Sequence, residues 1–274
     1  LNPSSKRAQP PVVRATTPVL MYHHVEPMPL APAPRHPDSY VTPRELDRHL
    51  AHLVGWGFHF STLEAAAASW HAGRSLPRKT VVLTFDDACR CFADHAVPLL
   101  AARGAGATVF AVSGLLGGSN AWDAAAGERR EELMDAAALA ELAAAGCEVG
   151  SHGRSHADLS VLDGDALAAE VDGSKRDLEA ALGRPVATLA WPYGRTSPAA
   201  REAARRAGYA AAVAISDHAG AVAGDPWGVP RQPVRPGESA FELWLKARGL
   251  YPAWSRLPRL GLLAGLRRRG EARP

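Results

Sequence analysis

Short apolar segments alternate with helical patterns along most of this chain, and this alternation limits its fold more than any other feature. The clearest strand is Thr80–Phe85 (TVVLTF), which is apolar, rich in β-branched residues and bounded by charged ones. An even strand–helix rhythm is typical of a parallel sheet or barrel, so we predict an α/β fold. Other strands are expected at residues 18–22, 58–60, 108–112, 147–150, 186–190 and 209–215, and helices at 42–54, 63–72, 95–103, 135–145, 165–182 and 198–207.

Size and composition set broad limits on the class of protein. The 274 residues suffice for one large domain or two small ones, and 47% of them are hydrophobic, enough for a substantial core. The formal net charge of +3 gives no case for nucleic acid as the main partner. No apolar run approaches the ~20 residues that span a bilayer. The three cysteines, Cys89, Cys91 and Cys147, are too few for a disulfide framework and are expected to be small, mostly buried apolar residues.

The two ends of the chain differ in composition from the middle. Residues 1–17 are rich in proline, serine and charge and are predicted to be a disordered lead-in. One folded domain is expected over residues 18–249. Residues 250–274 form a basic, amphipathic tail that could contact a membrane surface or an acidic partner. Because Pro252 and Pro258 interrupt a continuous helix, packing across the bottom of a barrel or a solvated tail is equally open.

Two adjacent carboxylates, Asp86 and Asp87, follow the strongest predicted strand. Neighbouring carboxylates repel each other unless a cation lies close to one of them. The alternative is a helix N-cap followed by an acid in the first turn. In a parallel α/β barrel, however, the ends of the strands are where active sites are built, and the other polar clusters of this chain also follow predicted strands.

The second cluster contains two histidines four residues apart, His152 and His156. This spacing can place both rings on one face of a helical turn, where they could bind one metal ion. The carboxylate of Asp87 would complete a His-His-carboxylate site with open positions for water and substrate. A metal bound there would lower the pKa of a water molecule, and Asp86 would be placed to accept the proton from that water.

These clusters resemble a known family when they are taken together with a third one. Thr84-Phe85-Asp86-Asp87, the His-x-x-x-His of residues 152–156 and Trp191-Pro192-Tyr193-Gly194 are similar, in order and spacing, to the first three motifs of the polysaccharide deacetylase family. This family is also called the NodB-homology domain or carbohydrate esterase family 4. The resemblance covers roughly residues 18–235 and implies a distorted (β/α)7 barrel that removes acetyl groups from N-acetylated sugars.

The same resemblance implies roles for individual residues. It makes Asp86 the general base and assigns a divalent metal, zinc first with cobalt or nickel as alternatives, to Asp87, His152 and His156. It also implies that the backbone N–H of Tyr193 stabilises the developing oxyanion. Substrate contacts are expected from Trp191, Pro192, Tyr193 and His24. The resemblance slightly favours an extracytoplasmic location over a cytoplasmic one.

Several positions depart from the family pattern. Ala88 replaces the usual glycine after the two aspartates, and Gly153 replaces a serine or threonine that braces the turn, a task that Ser155 could take over. Ala190 stands where an arginine often orients the base. The Leu-x-His motif that commonly supplies the general acid is absent, since no histidine follows His218.

One branch of the family resembles this chain in lacking the C-terminal acid histidine. The segment Leu20-Met21-Tyr22-His23-His24-Val25 resembles the opening motif of poly-N-acetylglucosamine deacetylases, whose acid histidine has moved to the first strand by circular permutation. His23 is therefore predicted to be the general acid, on the side of the substrate opposite the base. His24 is second choice because the strand pleat would turn it away, and His95 and His218 are weaker. The late segment Pro230-Arg231-Gln232-Pro233 resembles that branch as well, so Arg231 is predicted to replace the missing arginine beside Asp86.

Other functions remain open for this pattern of residues. The chain could hydrolyse a different amide or ester, as a xylan esterase or an imidase-like enzyme does. It could also bind glycan without turning it over, although the intact set of two aspartates and two histidines disfavours a pseudo-enzyme.

Overall fold

The computed structural model describes residues 17–216, 222 and 224–256. Most of the predicted lead-in, the tail beyond residue 256 and His218 lie outside the described residues. The described residues contain ten strands, in chain order β1 Val19–Tyr22, β2 His24–Val25, β3 Tyr40–Val41, β4 His59–Ser61, β5 Thr80–Phe85, β6 Thr108–Ala111, β7 Glu148–Ser151, β8 Thr188–Ala190, β9 Ala211–Ile215 and β10 Val229–Pro233. The same part of the chain contains eight α-helices: α1 Pro43–Gly55, α2 Leu63–His71, α3 Val97–Ala102, α4 Ala136–Ala144, α5 Gly164–Leu182, α6 Pro198–Arg206, α7 Ala240–Ala247 and α8 Tyr251–Ser255.

Seven of the strands close into a parallel barrel, as predicted from the family resemblance. Their order around the ring is β1-β10-β9-β8-β7-β6-β5, and β5 returns to β1 with Val82 opposite Val19 and Phe85 opposite Tyr22. Strand β4 lies outside the ring and pairs with the first half of β5. Strands β2 and β3 form a separate parallel pair with each other. All seven strands of the ring therefore end at the same rim.

Helix α2 closes the opposite end of the barrel. Its apolar residues Leu63, Ala66 and Trp70 belong to one buried cluster with side chains from the barrel interior, among them Val82 and Phe110. The start of the helix is also held by polar groups at the first residues of the strands. The Leu63 N–H donates to Thr108 Oγ1 at 2.9 Å, and the Glu64 N–H donates to a carboxylate oxygen of Glu148 at 2.8 Å. With this end filled, the rim at the strand ends is where a substrate can enter.

The elements predicted from periodicity are present, with ends shifted by a few residues. The capping box of Thr42 and Glu45 begins α1 as expected. The helix predicted from residue 95 is preceded by a π-helical turn over Phe92–Ala96. Strand β10 was not predicted, because its sequence VPRQP contains two prolines and two polar residues and resembles a loop. Helix α7 was also missed.

The described part of the tail is short and helical. Pro252 lies in the first turn of α8, where a missing N–H costs nothing. Helix α8 ends at Ser255 and Pro258 lies outside the described residues, so the interruption of a longer helix by the two prolines stays a prediction. Helix α8 packs against α7. No helix among residues 17–216 and 224–256 is long and apolar enough to cross a membrane. Contact of the tail with a membrane surface or an acidic partner stays a prediction.

Candidate active site

The polar motifs meet in one cleft at the rim of the barrel. Asp86 and Asp87 follow β5, His152 follows β7, Tyr193 follows β8, and His23 follows β1. A cleft of about 200 Å³ is lined by these side chains together with residues of the surrounding loops. The parallel closure of the barrel explains the meeting, because it brings the carboxyl ends of strands that are distant in sequence to one rim.

Asp87, His152 and His156 form a compact, buried group. Asp87 Oδ1 lies 3.5 Å from His152 Nε2 and 3.6 Å from His156 Nε2. One ligand atom from each residue lies within 4.8 Å of the others. The spacing of the two histidines had suggested that they share a helical turn, but they do not. Residues 152–156 form an irregular loop instead, in which His156 has φ +62° and bends the chain back toward Asp87.

The chemistry of this donor set fits a divalent cation. His152 Nδ1 lies 2.8 Å from the carbonyl oxygen of Ala190, which assigns the proton to Nδ1 and leaves the Nε2 lone pair facing Asp87. Burial lowers the pKa of His152 to about 4, so its ring is neutral near pH 7. Asp87 Oδ1 is buried and has no hydrogen-bond partner in the described part of the chain, and burial and the neighbouring Asp86 raise the pKa of its carboxyl well above the usual value. A cation bound between these atoms would satisfy the buried oxygen and offset its charge.

Asp86 is held by an arginine from β10. Arg231 Nη1 donates to Asp86 Oδ1 at 2.6 Å, and Nη2 donates to Oδ2 at 2.8 Å. Nη1 also donates to Thr84 Oγ1 at 3.1 Å, and the fully buried guanidinium lies 5.6 Å from the ring centre of Phe110 inside the barrel. Burial alone would raise the pKa of Asp86, but the charge and hydrogen bonds of Arg231 hold it well below its ordinary value. The carboxylate is therefore ionised and fixed in one rotamer.

His23 and His24 separate as the strand pleat suggested. His23 Nε2 lies 3.8 Å from Asp86 Oδ2, and its side chain is 27% exposed in the cleft. His23 therefore lies beside Asp86 at the rim, and its role as an acid acting from the side of the substrate opposite the base stays a prediction. The ring of His24 is buried and stacks on Tyr40, with centroids 4.2 Å apart. Burial lowers the pKa of His23 against the opposing charge of Asp86.

The third motif contributes one side chain and a turn of backbone to the cleft. Tyr193 has φ +58° in a tight turn over Pro192–Gly194, and its side chain is 41% exposed. Gly194 also lines the cleft, and this position needs glycine because a Cβ there would approach Ile215 to within 2.2 Å. The side chain of Trp191 has no exposed surface and donates from Nε1 to the carbonyl oxygen of Trp227 at 2.9 Å. Trp191 therefore supports the turn from below, and the predicted direct contact with substrate is wrong for this buried residue. Pro192 is buried as well.

Other cleft residues were missed because they lie in loops or in elements too short to show periodicity. Trp122 and Asp123 lie between β6 and α4, where neither a strand nor a helix was predicted, and His36 and Tyr40 lie after β2 in or near a proline-rich connection. The carboxylate of Glu128 accepts hydrogen bonds from the backbone N–H groups of residues 35 and 36 and thereby joins these two loops. The signal that could have predicted Trp122 as a cleft residue is a bulky aromatic side chain in the connection that follows a barrel strand.

Two of the departures from the family pattern have local explanations. Ala88 has φ +52°, a left-handed conformation that glycine adopts without strain, which explains the usual glycine at this position. Ser155 Oγ donates to a carboxylate oxygen of Glu170 at 2.6 Å, and the N–H groups of Arg154 and Ser155 donate to the other oxygen at 2.7 and 3.0 Å. The loop between the two histidines is thus braced from helix α5.

Comparison with known proteins agrees with this geometry. A family model described as polysaccharide deacetylase matches residues 73–212, just over half of the chain. The chain is 24% identical over 235 residues to YxkH of Bacillus subtilis (strain 168), whose name places it among the polysaccharide deacetylases; the match covers 85% of this chain and 77% of YxkH.

Solved structures share the fold. The deacetylase PplD of Streptococcus pyogenes, solved in complex with acetate, superposes with a TM-score of 0.70 at 23% identity, over 84% of this chain and 97% of PplD. IcaB from Ammonifex degensii superposes with a TM-score of 0.65 at 23% identity, over 86% of this chain and 97% of IcaB. On the family match, the chain belongs to the polysaccharide deacetylase family and is a polysaccharide deacetylase.

Proposed function

We propose that this enzyme removes N-acetyl groups from N-acetylhexosamine-containing polysaccharide or glycan and that it does so with a divalent cation, zinc in the first place. The observation that carries the proposal is the buried Asp87–His152–His156 group beside the Arg231-bound carboxylate of Asp86. When bound, the cation would polarise the acetamide carbonyl and make water a stronger nucleophile at neutral pH. Nitrogen and oxygen ligands in this combination suit zinc, and also cobalt or nickel.

Asp86 acts as the general base in this proposal. Its carboxylate is kept ionised by Arg231, lies next to the ligand Asp87 and is almost fully buried. A buried, pre-oriented carboxylate can accept a proton from water as that water attacks the acetamide carbon. The backbone N–H of Tyr193, at the left-handed turn on the edge of the cleft, is assigned to the oxyanion that forms in this step.

His23 acts as the general acid. Collapse of the tetrahedral intermediate expels an amine, which is a poor leaving group unless it is protonated. Burial lowers the pKa of His23, so its neutral form is favoured in the resting cleft. Asp86 Oδ2 at 3.8 Å provides a nearby source for a proton that His23 then passes to the amine. Tyr193 and His24 line the cleft and are proposed to contact the sugar.

The function is tested by measuring acetate release from chitin oligosaccharides and from acetyl-xylan, before and after removal of metal by a chelator. We expect release from the chitin oligosaccharides, its loss on chelation and its return when zinc is added. Release only from acetyl-xylan would favour an esterase, and release from neither substrate by the zinc-loaded enzyme would exclude both acetyl hydrolases.

Replacing His23 with alanine is expected to slow amide cleavage by about 10²-fold or more, the usual contribution of a positioned acid. Zinc content and substrate binding should persist, because His23 is outside the ligand group. The measurement compares kcat for a chitin oligosaccharide with kcat for an activated aryl acetate, whose leaving group needs no proton. Equal losses on the two substrates would show that His23 is not the acid, and His95→Ala serves as the control histidine.

Replacing Arg231 with methionine is expected to move the acidic limb of the pH–rate profile to higher pH. The methionine removes the charge that opposes burial, so the pKa of Asp86 rises and a smaller fraction of the base is ionised at a given acidic pH. Leaving a buried carboxylate unpaired should also lower the free energy of unfolding by about 3–5 kcal/mol. Arg231→Lys keeps a charge but loses the paired contact, so its profile should lie between the two. An unchanged profile in the methionine variant would remove Arg231 from the control of the base.

A further inference from the structure

The two liganding histidines are held in different ways. His152 has a hydrogen bond from Nδ1 to the carbonyl oxygen of Ala190, whereas His156 Nδ1 is buried and has no hydrogen-bond partner among the described residues. Metal-binding imidazoles are usually oriented by a hydrogen bond from the second ring nitrogen. His156 therefore needs another means of keeping Nε2 directed at Asp87.

Aromatic rings surround His156 instead. The indole of Trp122 stacks on its imidazole, with ring centroids 4.4 Å apart and an angle of 21° between the planes. The rings of Tyr193 and His152 approach edge-on, at 4.7 and 4.9 Å. Stacking on one face and edge contacts around it restrict rotation of the imidazole, because turning the ring would break the close parallel contact with Trp122.

Trp122 is itself held by apolar packing. Its side chain packs against a small apolar cluster of Cys89, Cys91, Leu133 and Leu115. The backbone of the same loop is pinned to the segment after Asp87, since Cys89 and Leu133 form an antiparallel bridge and the Met134 N–H donates to the carbonyl oxygen of Ala88 at 3.0 Å. The two free cysteines, Cys89 and Cys91, thus belong to the apolar cluster against which the indole packs. This chain of contacts links the Asp86–Asp87 motif to the ring of His156.

We infer that Trp122 is a positioning residue that holds His156 for metal binding, in place of the hydrogen bond that its Nδ1 lacks. The inference rests on the proposed function, because it assumes that His156 is a metal ligand. It predicts that the affinity for zinc depends on an aromatic ring at position 122, although that ring offers no metal-binding atom. The loop that holds Trp122 would then couple the first two motifs of the site.

The test measures the zinc affinity of the full-length protein by competition with a chromophoric chelator. Trp122→Ala is expected to weaken zinc binding by about 10- to 100-fold, the usual effect of removing support from a metal ligand. Trp122→Phe keeps a ring that can stack and should remain within about threefold of the parent protein, by the same reasoning. The matched control is Trp244→Ala on α7, which lies outside the site and should leave zinc affinity unchanged. Thermal unfolding of the zinc-free proteins, followed by circular dichroism, reports any general loss of fold.

The outcomes separate this inference from the proposed function. If the parent protein binds no zinc, the metal assignment fails and this inference fails with it. If the parent binds zinc and Trp122→Ala binds it equally well, the role of Trp122 is wrong while the proposed function stands. Equal weakening in the alanine and phenylalanine variants, with a matching loss of zinc-free stability, would show a structural role only and would also overturn the inference.

Discussion

Replacing His152 with alanine is expected to remove stoichiometric zinc and to reduce deacetylation to the background rate, while the barrel remains folded. In the proposed site His152 is one of three side-chain ligands, and the two remaining ligands would leave the buried Asp87 carboxylate with no adequate partner. The ring is part of a loop beyond the end of β7 and makes one hydrogen bond, to the carbonyl oxygen of Ala190. Asp87→Ala should have the same effect on zinc and activity.

The measurement is zinc per chain by elemental analysis, together with acetate release and circular dichroism. His59→Ala is the matched control, because His59 is exposed on β4, outside the residues of the cleft. It should keep full zinc content and rate. Stoichiometric zinc in His152→Ala would show that the ligand assignment is wrong, whatever the activity.

Replacing Asp86 with asparagine is expected to leave zinc in place but to slow turnover by about 10²- to 10⁴-fold, the range for loss of a positioned general base. Asparagine preserves the size of the side chain and cannot accept the proton. The substitution also leaves the guanidinium of Arg231 buried opposite a neutral group, so the free energy of unfolding should fall by about 3–5 kcal/mol. The rate must therefore be measured well below the unfolding transition of the variant.

A second carboxylate of the same cleft separates a chemical role from a general charge effect. Asp123 also lines the cleft, and its charge contributes to raising the pKa of Asp87. Because Asp123 affects the site only through its charge and is not proposed to accept a proton, Asp123→Asn should slow turnover far less than Asp86→Asn does. A near-normal rate for Asp86→Asn, or equal losses for the two variants, would remove Asp86 from the role of base.

Local sequence patterns were sufficient for most of the strands and helices, but not for β10 or α7. Strand β5 can be predicted from its β-branched residues and α1 from its capping box, because both signals depend only on residues that are close in sequence. The three motifs gave the barrel and the candidate ligands through their order along the chain. Their order could not give the local conformation of His152 and His156, which meet through a left-handed turn at His156 and not on a helix.

Only the tertiary structure decided how distant segments complete the site. Strand β10 resembles a loop by its prolines, yet it pairs between β1 and β9 and brings Arg231 to Asp86 across 145 residues of sequence. Trp122 lies in a loop without periodicity, and its contact with His156 depends on how that loop packs on Cys89 and Cys91. Periodicity records which face of an element is buried, whereas closure of the barrel determines which strand ends become neighbours. The sequence by itself therefore determined most of the elements and the chemical groups, and the packing of the barrel and its loops determined which of those groups touch.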